Sequence, residues 1–296
     1  GIRDHCVTGV QTCALPIWEL NPHFARANNS AVIIKNRCTK EEFNLFWERI
    51  KASGAGEPGI SWTNNPEYFF NPCHEISLRP YSFCNLTEIN GGNITSETDF
   101  YERCEIASFI GTLQASYTDF VYLRSIWKEH TEKDSLIGVG ITGIASNTID
   151  PSWLEKGANI VKKVNEETAE IIGIKKAARC TTVKPAGTTS CLLGTSSGIH
   201  AWYNDYYIRR MRLGKNESLY NYLYLYHNEL LEDELFKPQE QSVVSLPIKS
   251  PKNAIIRNED VLDFLERVKT YNIAWVRNGH RSGPNYNNVS ATDRKS

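Results

Sequence analysis

Apolar positions in this chain gather into short β-rich runs that alternate with longer stretches at helical spacing. Ala31-Val32-Ile33-Ile34 is a short β-rich run and predicts a buried strand. Thr39 and Glu42 form a capping box, after which Phe43, Phe46, Trp47 and Ile50 share one helical face. Gly54 and Gly56 are placed to end that helix. Gly59-Ile60-Ser61-Trp62 predicts a second strand, with polar Thr63-Asn64-Asn65-Pro66 leading on from it. Ser96 and Asp99 open a long helix to about Tyr117, with Phe100, Ala107, Ile110 and Leu113 among its apolar positions and Cys104 as a packed core thiol.

Leu136 to Ile144 is apolar and punctuated by glycine, and it reads as a buried strand. It contains Gly138-x-Gly140-x-x-Gly143, the letter pattern of a dinucleotide-binding turn. That turn needs a strand before it and a helix opening at once. Here the glycines lie inside the run, and the next helix opens only at Asp150-Pro151. A dinucleotide site is therefore rejected, and the glycines are expected to let backbones approach closely. Residues 151–173 predict a helix with Gly157 and Gly173 as weak points, and Thr181-Thr182-Val183 a strand. Further on, Tyr206-Tyr207-Ile208-Arg209-Arg210 and Val243-Val244-Ser245-Leu246-Pro247 read as strands. Ser218 to His227 and residues 259–276 read as helices. Strands alternating with helices of this length define an α/β chain with a largely parallel sheet. No repeat, linker or low-complexity stretch marks a domain boundary.

Composition narrows the function classes. The 296 residues carry a formal net charge of -1, with 41% hydrophobic and 23% charged residues, an ordinary globular balance. Near-neutral charge argues against whole nucleic acid as a partner but leaves room for a nucleotide in a local pocket. No apolar run approaches the roughly 20 residues of a membrane-spanning helix. The eight cysteines (6, 13, 38, 73, 84, 104, 180 and 191) include no CxxC pair and no zinc spacing. No metal site is expected, and reduced thiols in a cytoplasmic protein fit better than a disulfide framework. Residues 1–17 and 293–296 resemble translated sequencing adapter and are expected to be foreign to the fold.

Two stretches carry chemistry. The first is Asn71-Pro72-Cys73-His74-Glu75-Ile76, with Cys84-Asn85-Leu86 starting eleven residues after Cys73. Asn71 precedes proline, so it is biased towards an extended or turn conformation. If extended, the segment sends Cys73 and Glu75 to one face. A thiol beside a carboxylate can exchange hydrogen or electrons while its neighbour moves a proton; the same residues also suit a structural cysteine next to a surface glutamate. His74 is given no catalytic role. The second stretch is Lys184-Pro185-Ala186-Gly187-Thr188-Thr189-Ser190. A glycine among small hydroxyl residues after a strand can turn N–H groups and hydroxyls towards an anion, or simply form a turn.

Together these stretches resemble the finger loop and phosphate loop of ribonucleotide reductase large chains. The Cys73–Cys84 spacing is most similar to the adenosylcobalamin-dependent (class II) branch, and Ser196-Ser197-Gly198-Ile199-His200 follows the same pattern. The resemblance implies a ten-stranded α/β barrel with the finger loop threaded through its centre, of which residues 18–292 form the C-terminal part. It implies Cys73 as the thiyl-radical cysteine, Glu75 as acid/base at the ribose 3′-hydroxyl, and Asn71 as a substrate hydrogen-bonding group. Cys84 would be half of the reducing dithiol, and Pro185, Ala186, Gly187, Thr188, Thr189 and Ser190 would hold the phosphates. The partner of Cys84 would lie on an earlier strand outside this chain. Also implied are adenosylcobalamin as cofactor, a di- or triphosphate ribonucleotide as substrate, a thioredoxin-like or dithiol reductant, and an allosteric nucleotide in the full-length parent. Two alternatives stand beside this: a class I chain fed by a radical-generating subunit, and a non-catalytic nucleotide-binding remnant.

Overall fold

The computed structural model describes residues 30–53, 59–65 and 67–291. The expected foreign ends, Gly54, Gly56 and Pro66 lie outside the described residues. Contacts divide the chain into two compact units, one running through His200 and resuming at Asp260, the other Ala201–Glu259. No change of composition announces that division in the sequence.

In the first unit, β1 (Ser30–Ile34) is followed by α1 (Lys40–Ser53) and by β2 (Gly59–Thr63), which pairs with β1 in parallel. The capping box forms as expected: Glu42 N–H donates to Thr39 Oγ1 at 3.2 Å and Thr39 N–H to Glu42 Oε2 at 2.8 Å. Phe46 and Ile50 pack on Ala31 and Ile33. Trp47 does not join them; it is exposed and stacks on Phe43.

Two short strands, β3 (Phe69–Phe70) and β4 (Ser77–Leu78), then pair as an antiparallel hairpin. They are followed by β5 (Asn85–Asn90), α2 (Glu97–Ala115), α3 (Ser125–Asp134) and β6 (Ile137–Thr142). Ser96 caps α2 by accepting from the Asp99 N–H. The buried stripe of α2 is Phe100, Cys104, Ala107, Ser108, Gly111, Thr112 and Ala115. Ile110 and Leu113 lie off this stripe and are exposed, contrary to the sequence pattern. Small residues won the inner face because α2 approaches its neighbours closely, with Ser108 Oγ donating to the Val161 carbonyl.

All six residues of β6 are buried, and β6 pairs in parallel with β5, Leu86 opposite Gly138 and Glu88 opposite Gly140. A Cβ on Gly138 would lie 2.5 Å from Leu86 Cδ2 and 2.8 Å from Ile76 Cδ1, and one on Gly140 would lie 2.5 Å from Glu88 Oε1. These glycines therefore make room for neighbouring side chains, not for closer backbones. Gly143, at φ 81°, ends the strand in a short 3-10 turn, which agrees with rejecting a dinucleotide site.

After a 3-10 turn capped by Asp150 comes α4 (Leu154–Ile172), closed by left-handed Gly173. Gly157 is no weak point: a Cβ there would lie 2.7 Å from the Phe100 ring. Thr181-Thr182-Val183 is extended, though not a full strand, with parallel bridges from Thr181 to Val139 of β6 and from Val183 to Val289. The Trp275 indole N–H donates to the Thr182 carbonyl at 3.0 Å and holds this segment to the core. The short helix α5 (Gly187–Leu192) follows.

The second unit contains β7 (Tyr206–Gly214), the tyrosine-rich α6 (Ser218–Tyr226), β8 (Leu231–Asp233) and β9 (Gln241–Lys249). Its sheet has the order β7-β9-β8 and is antiparallel throughout, unlike the parallel arrangement expected of the whole chain. The first unit resumes with α7 (Val261–Tyr271), which runs on as a π-helix, Asn272–Arg277. The architecture is thus mixed α/β. Among the described residues the sheets contain two, two, two and three strands, which does not amount to a ten-stranded barrel.

Candidate active site

The tip of the β3–β4 hairpin is Asn71–Ile76. The Asn71 N–H donates to the Ile76 carbonyl at 3.1 Å, the Ile76 N–H to Asn71 Oδ1 at 2.9 Å, and the His74 N–H to the Asn71 carbonyl at 2.9 Å. With His74 at φ 65°, the segment is a tight turn, not an extended strand, so strand alternation does not order Cys73 and Glu75. The Asn71 side chain, expected on substrate, here closes its own turn. His74 is an anchor: its Nδ1 lies 2.6 Å from Ser61 Oγ and its ring stacks on Phe70. Burial lowers its pKa, which favours the neutral imidazole.

Glu75 is only 1% exposed. Its carbonyl accepts from Thr182 Oγ1 at 2.7 Å and from the Asn288 N–H at 2.9 Å. Asn287 adds a second tie, accepting from the Ser77 N–H at 3.2 Å and donating to the Thr181 carbonyl at 3.0 Å. The hairpin is thereby fastened to the 181–183 segment by residues more than a hundred positions away. Glu75 Oε2 is buried and meets no hydrogen-bond partner. An orphaned carboxylate oxygen is costly, and such costs persist where the group has a task.

Cys73 is half-buried at the turn and Cys84 is half-buried just before β5. Burial raises the Cys84 pKa first, then the charge of Glu75; Lys184 opposes this, and Cys73 adds to it. Cys73, Glu75, Cys84 and Lys184 therefore share one electrostatic neighbourhood. None of the six described cysteines forms a disulfide. Cys104 and Cys180 are buried core thiols.

The 185–190 stretch follows Lys184 directly and runs into α5. Ala186 and Ser190 are buried, while Gly187 and Thr188 are exposed. Ser190 Oγ donates to the Gly187 carbonyl, inside the helix. Gly198, at φ 55°, lets the 196–199 segment lie on the loop, since a Cβ there would meet the Lys184 carbonyl oxygen at 2.3 Å.

Two residues of this neighbourhood were missed in the sequence. Glu88 lies on the same face of β5 as Leu86, in phase with Cys84, and both its carboxyl oxygens are buried without a hydrogen-bond partner. Burial pushes its pKa up to about 8, with Lys184 pulling it down and Glu75 adding to the rise. Lys184 is the nearby cation. The signal available was the period-2 spacing of Cys84 and Glu88, but β5 had not been assigned as a strand. Clear concavities elsewhere are lined by second-unit residues such as Arg210 and Phe236 and include none of these groups. No cluster of potential metal ligands occurs among the described residues, and no helix among them is long and apolar enough to cross a membrane.

The fold is similar to that of a solved structure. The crystal structure of a B12-dependent (class II) ribonucleotide reductase superposes with a TM-score of 0.61 at 21% identity, covering 81% of this chain and 40% of that one. In sequence, the chain is similar to the adenosylcobalamin-dependent ribonucleoside-triphosphate reductase of Euglena gracilis, at 26% identity over 283 residues, 83% of this chain and 36% of the relative. It is also similar to a Dictyostelium discoideum protein named "Probable adenosylcobalamin-dependent ribonucleoside-triphosphate reductase", at 28% identity over 244 residues, 72% of this chain and 30% of the relative. No family model matches the chain. The chain spans about a third of the length of these relatives. Sequence similarity and fold agree with the resemblance carried by the finger motif.

Proposed function

We propose that this chain is the C-terminal part of the barrel of an adenosylcobalamin-dependent ribonucleotide reductase, and that its parent converts ribonucleotides to 2′-deoxyribonucleotides. The observation that carries this reading is the convergence of Cys73, Glu75 and Cys84 on one hairpin neighbourhood beside Lys184, in a chain whose relatives bear that name. Those names favour a triphosphate substrate. In the parent the described strands belong to a ten-stranded barrel, with the Asn71–Ile76 turn as its finger loop.

Cys73 abstracts the ribose 3′-hydrogen as a thiyl radical, and Glu75 takes the 3′-hydroxyl proton while the 2′-hydroxyl, protonated by the reducing dithiol, leaves as water; at the end the hydrogen on Cys73 returns to C3′ and the proton on Glu75 to the 3′-oxygen. Cys84 and a partner thiol outside this chain supply two electrons and become a disulfide, which a dithiol protein of thioredoxin type reduces again. Residues 185–190 hold the phosphates, and Asn71 contacts the ribose after yielding its turn hydrogen bond. Such positioning supplies much of an enzyme's rate. Adenosylcobalamin, when bound, supplies the carbon radical that starts the chemistry. What fits it here is Cys73, a half-buried residue on a turn, whose thiol would be the hydrogen donor. Allosteric nucleotide control belongs to other parts of the parent, and the enzyme works in the cytoplasm.

The test uses the full-length parent with ribonucleotide, adenosylcobalamin and dithiol, and no second subunit. Cys73→Ser should abolish both deoxynucleotide and free-base release. Cys84→Ser should release base without making deoxynucleotide, because hydrogen abstraction survives while reduction stalls. Deoxynucleotide from Cys73→Ser, or parental single-turnover yield from Cys84→Ser, would overturn the roles. Turnover only with an added radical-generating subunit would favour a class I enzyme.

A further inference from the structure

The least explained group near the site is Glu88. It lies between β6, where Gly140 leaves space for its carboxyl, the hairpin carrying Glu75, and the 181–184 segment carrying Lys184. Leu86, its neighbour on the same face, packs with Ile76 and Leu136, so an apolar wall separates Glu88 from water on that side. Both carboxyl oxygens are buried and neither finds a donor. A carboxylate in such a place lacks the hydrogen bonds that would stabilise its charge, whereas a carboxylic acid is neutral and tolerates it. The charged groups facing it are Lys184 and Glu75, and through them the thiols of Cys84 and Cys73.

The Lys184 ammonium thus acts on both Glu88 and Cys84. With Glu88 neutral, the charge of Lys184 is left to Glu75 and to Cys84. With Glu88 ionised, the same ammonium is drawn towards β5, and a second negative charge stands beside Glu75. We propose that Glu88 is a positioning residue for the reductase reaction, a proton-holding carboxyl whose neutral form keeps the Lys184 ammonium on the side of Glu75 and Cys84. The proposal rests on the functional reading above and goes beyond it, because it gives Glu88 a role through Lys184 and not through contact with substrate. Its expected titration near pH 8 makes the consequence measurable.

Two measurements test it. In the 296-residue chain, infrared difference spectra of the parent against Glu88→Gln should show a protonated-carboxyl band at pH 7 that is lost by pH 10. Lys184→Met should move the loss of that band to higher pH. No such band at pH 7 overturns the proposal. In the full-length parent, deoxynucleotide formation should fall about tenfold between pH 7 and pH 9, the loss of a single required proton with a pKa near 8. In Glu88→Gln the ratio of the rates at these two pH values should be near one, and in Glu88→Asp a fall should return. A parental profile without that fall, or a Glu88→Gln profile that keeps it, overturns the positioning role while leaving the reductase reading intact. A parent that reduces no nucleotide refutes the reductase reading, and the role of Glu88 with it.

Discussion

Replacing Glu88 by glutamine should make the chain's stability far less dependent on pH. Burial raises the Glu88 pKa from 4.5 to about 8. Between these values the folded chain keeps a proton that the unfolded chain has released, so stability falls as pH rises through that window and levels off above it. A difference of about 3.5 pH units at about 1.4 kcal/mol each sets a ceiling of about 5 kcal/mol on the cost at high pH. Most of that accrues between pH 5 and pH 9, up to about 4 kcal/mol. Glutamine has the same shape and no charge, but leaves an amide without partners at a fixed cost of about 1–3 kcal/mol. Glu88→Gln should therefore be equal to or weaker than the parent at pH 5 and clearly more stable at pH 9. Urea unfolding of both chains at pH 5, 7 and 9 measures this, with the difference between chains at each pH as the readout. Because the amide cost does not vary with pH, parallel curves for the two chains would refute the reasoning.

Gly140→Ala should destabilise by about 1–3 kcal/mol through overpacking, since the new methyl would meet Glu88 Oε1 at 2.5 Å. The loss should shrink when combined with Glu88→Ala, as a double-mutant cycle by urea unfolding would show. Asn287→Ala strips the Ser77 N–H and the Thr181 carbonyl of partners in a buried place. It should cost about 2–4 kcal/mol in thermal or urea unfolding, and an Asn287→Ala chain as stable as the parent would mean that the hairpin is held by other contacts.

How much of this was legible in advance depended on the range of the interaction. Local rules sufficed for α1, where Thr39 and Glu42 sit three residues apart and cap each other, and for α2, opened by Ser96. The apolar run at 136–144 reads as a buried strand, and β6 occupies Ile137–Thr142 of it. The pairing of the finger motif with Lys184–Ser190 was readable as a resemblance to one family, and the fold is similar to that of a class II ribonucleotide reductase. What the sequence could not show was decided across distance. The turn at Asn71–Ile76 depends on hydrogen bonds that close only once the hairpin forms. Glycines 138 and 140 follow a dinucleotide spelling, yet their purpose appears only when parallel pairing sets them opposite Leu86 and Glu88. Ile110 and Leu113 belong to an apolar helix, but close approach by α4 gave the inner stripe to smaller residues. Glu88 looked like any surface acid in a short polar-apolar stretch. Its raised pKa comes from the buried place made by β5, β6 and the 181–184 segment together, and no one of these stretches carries that information alone.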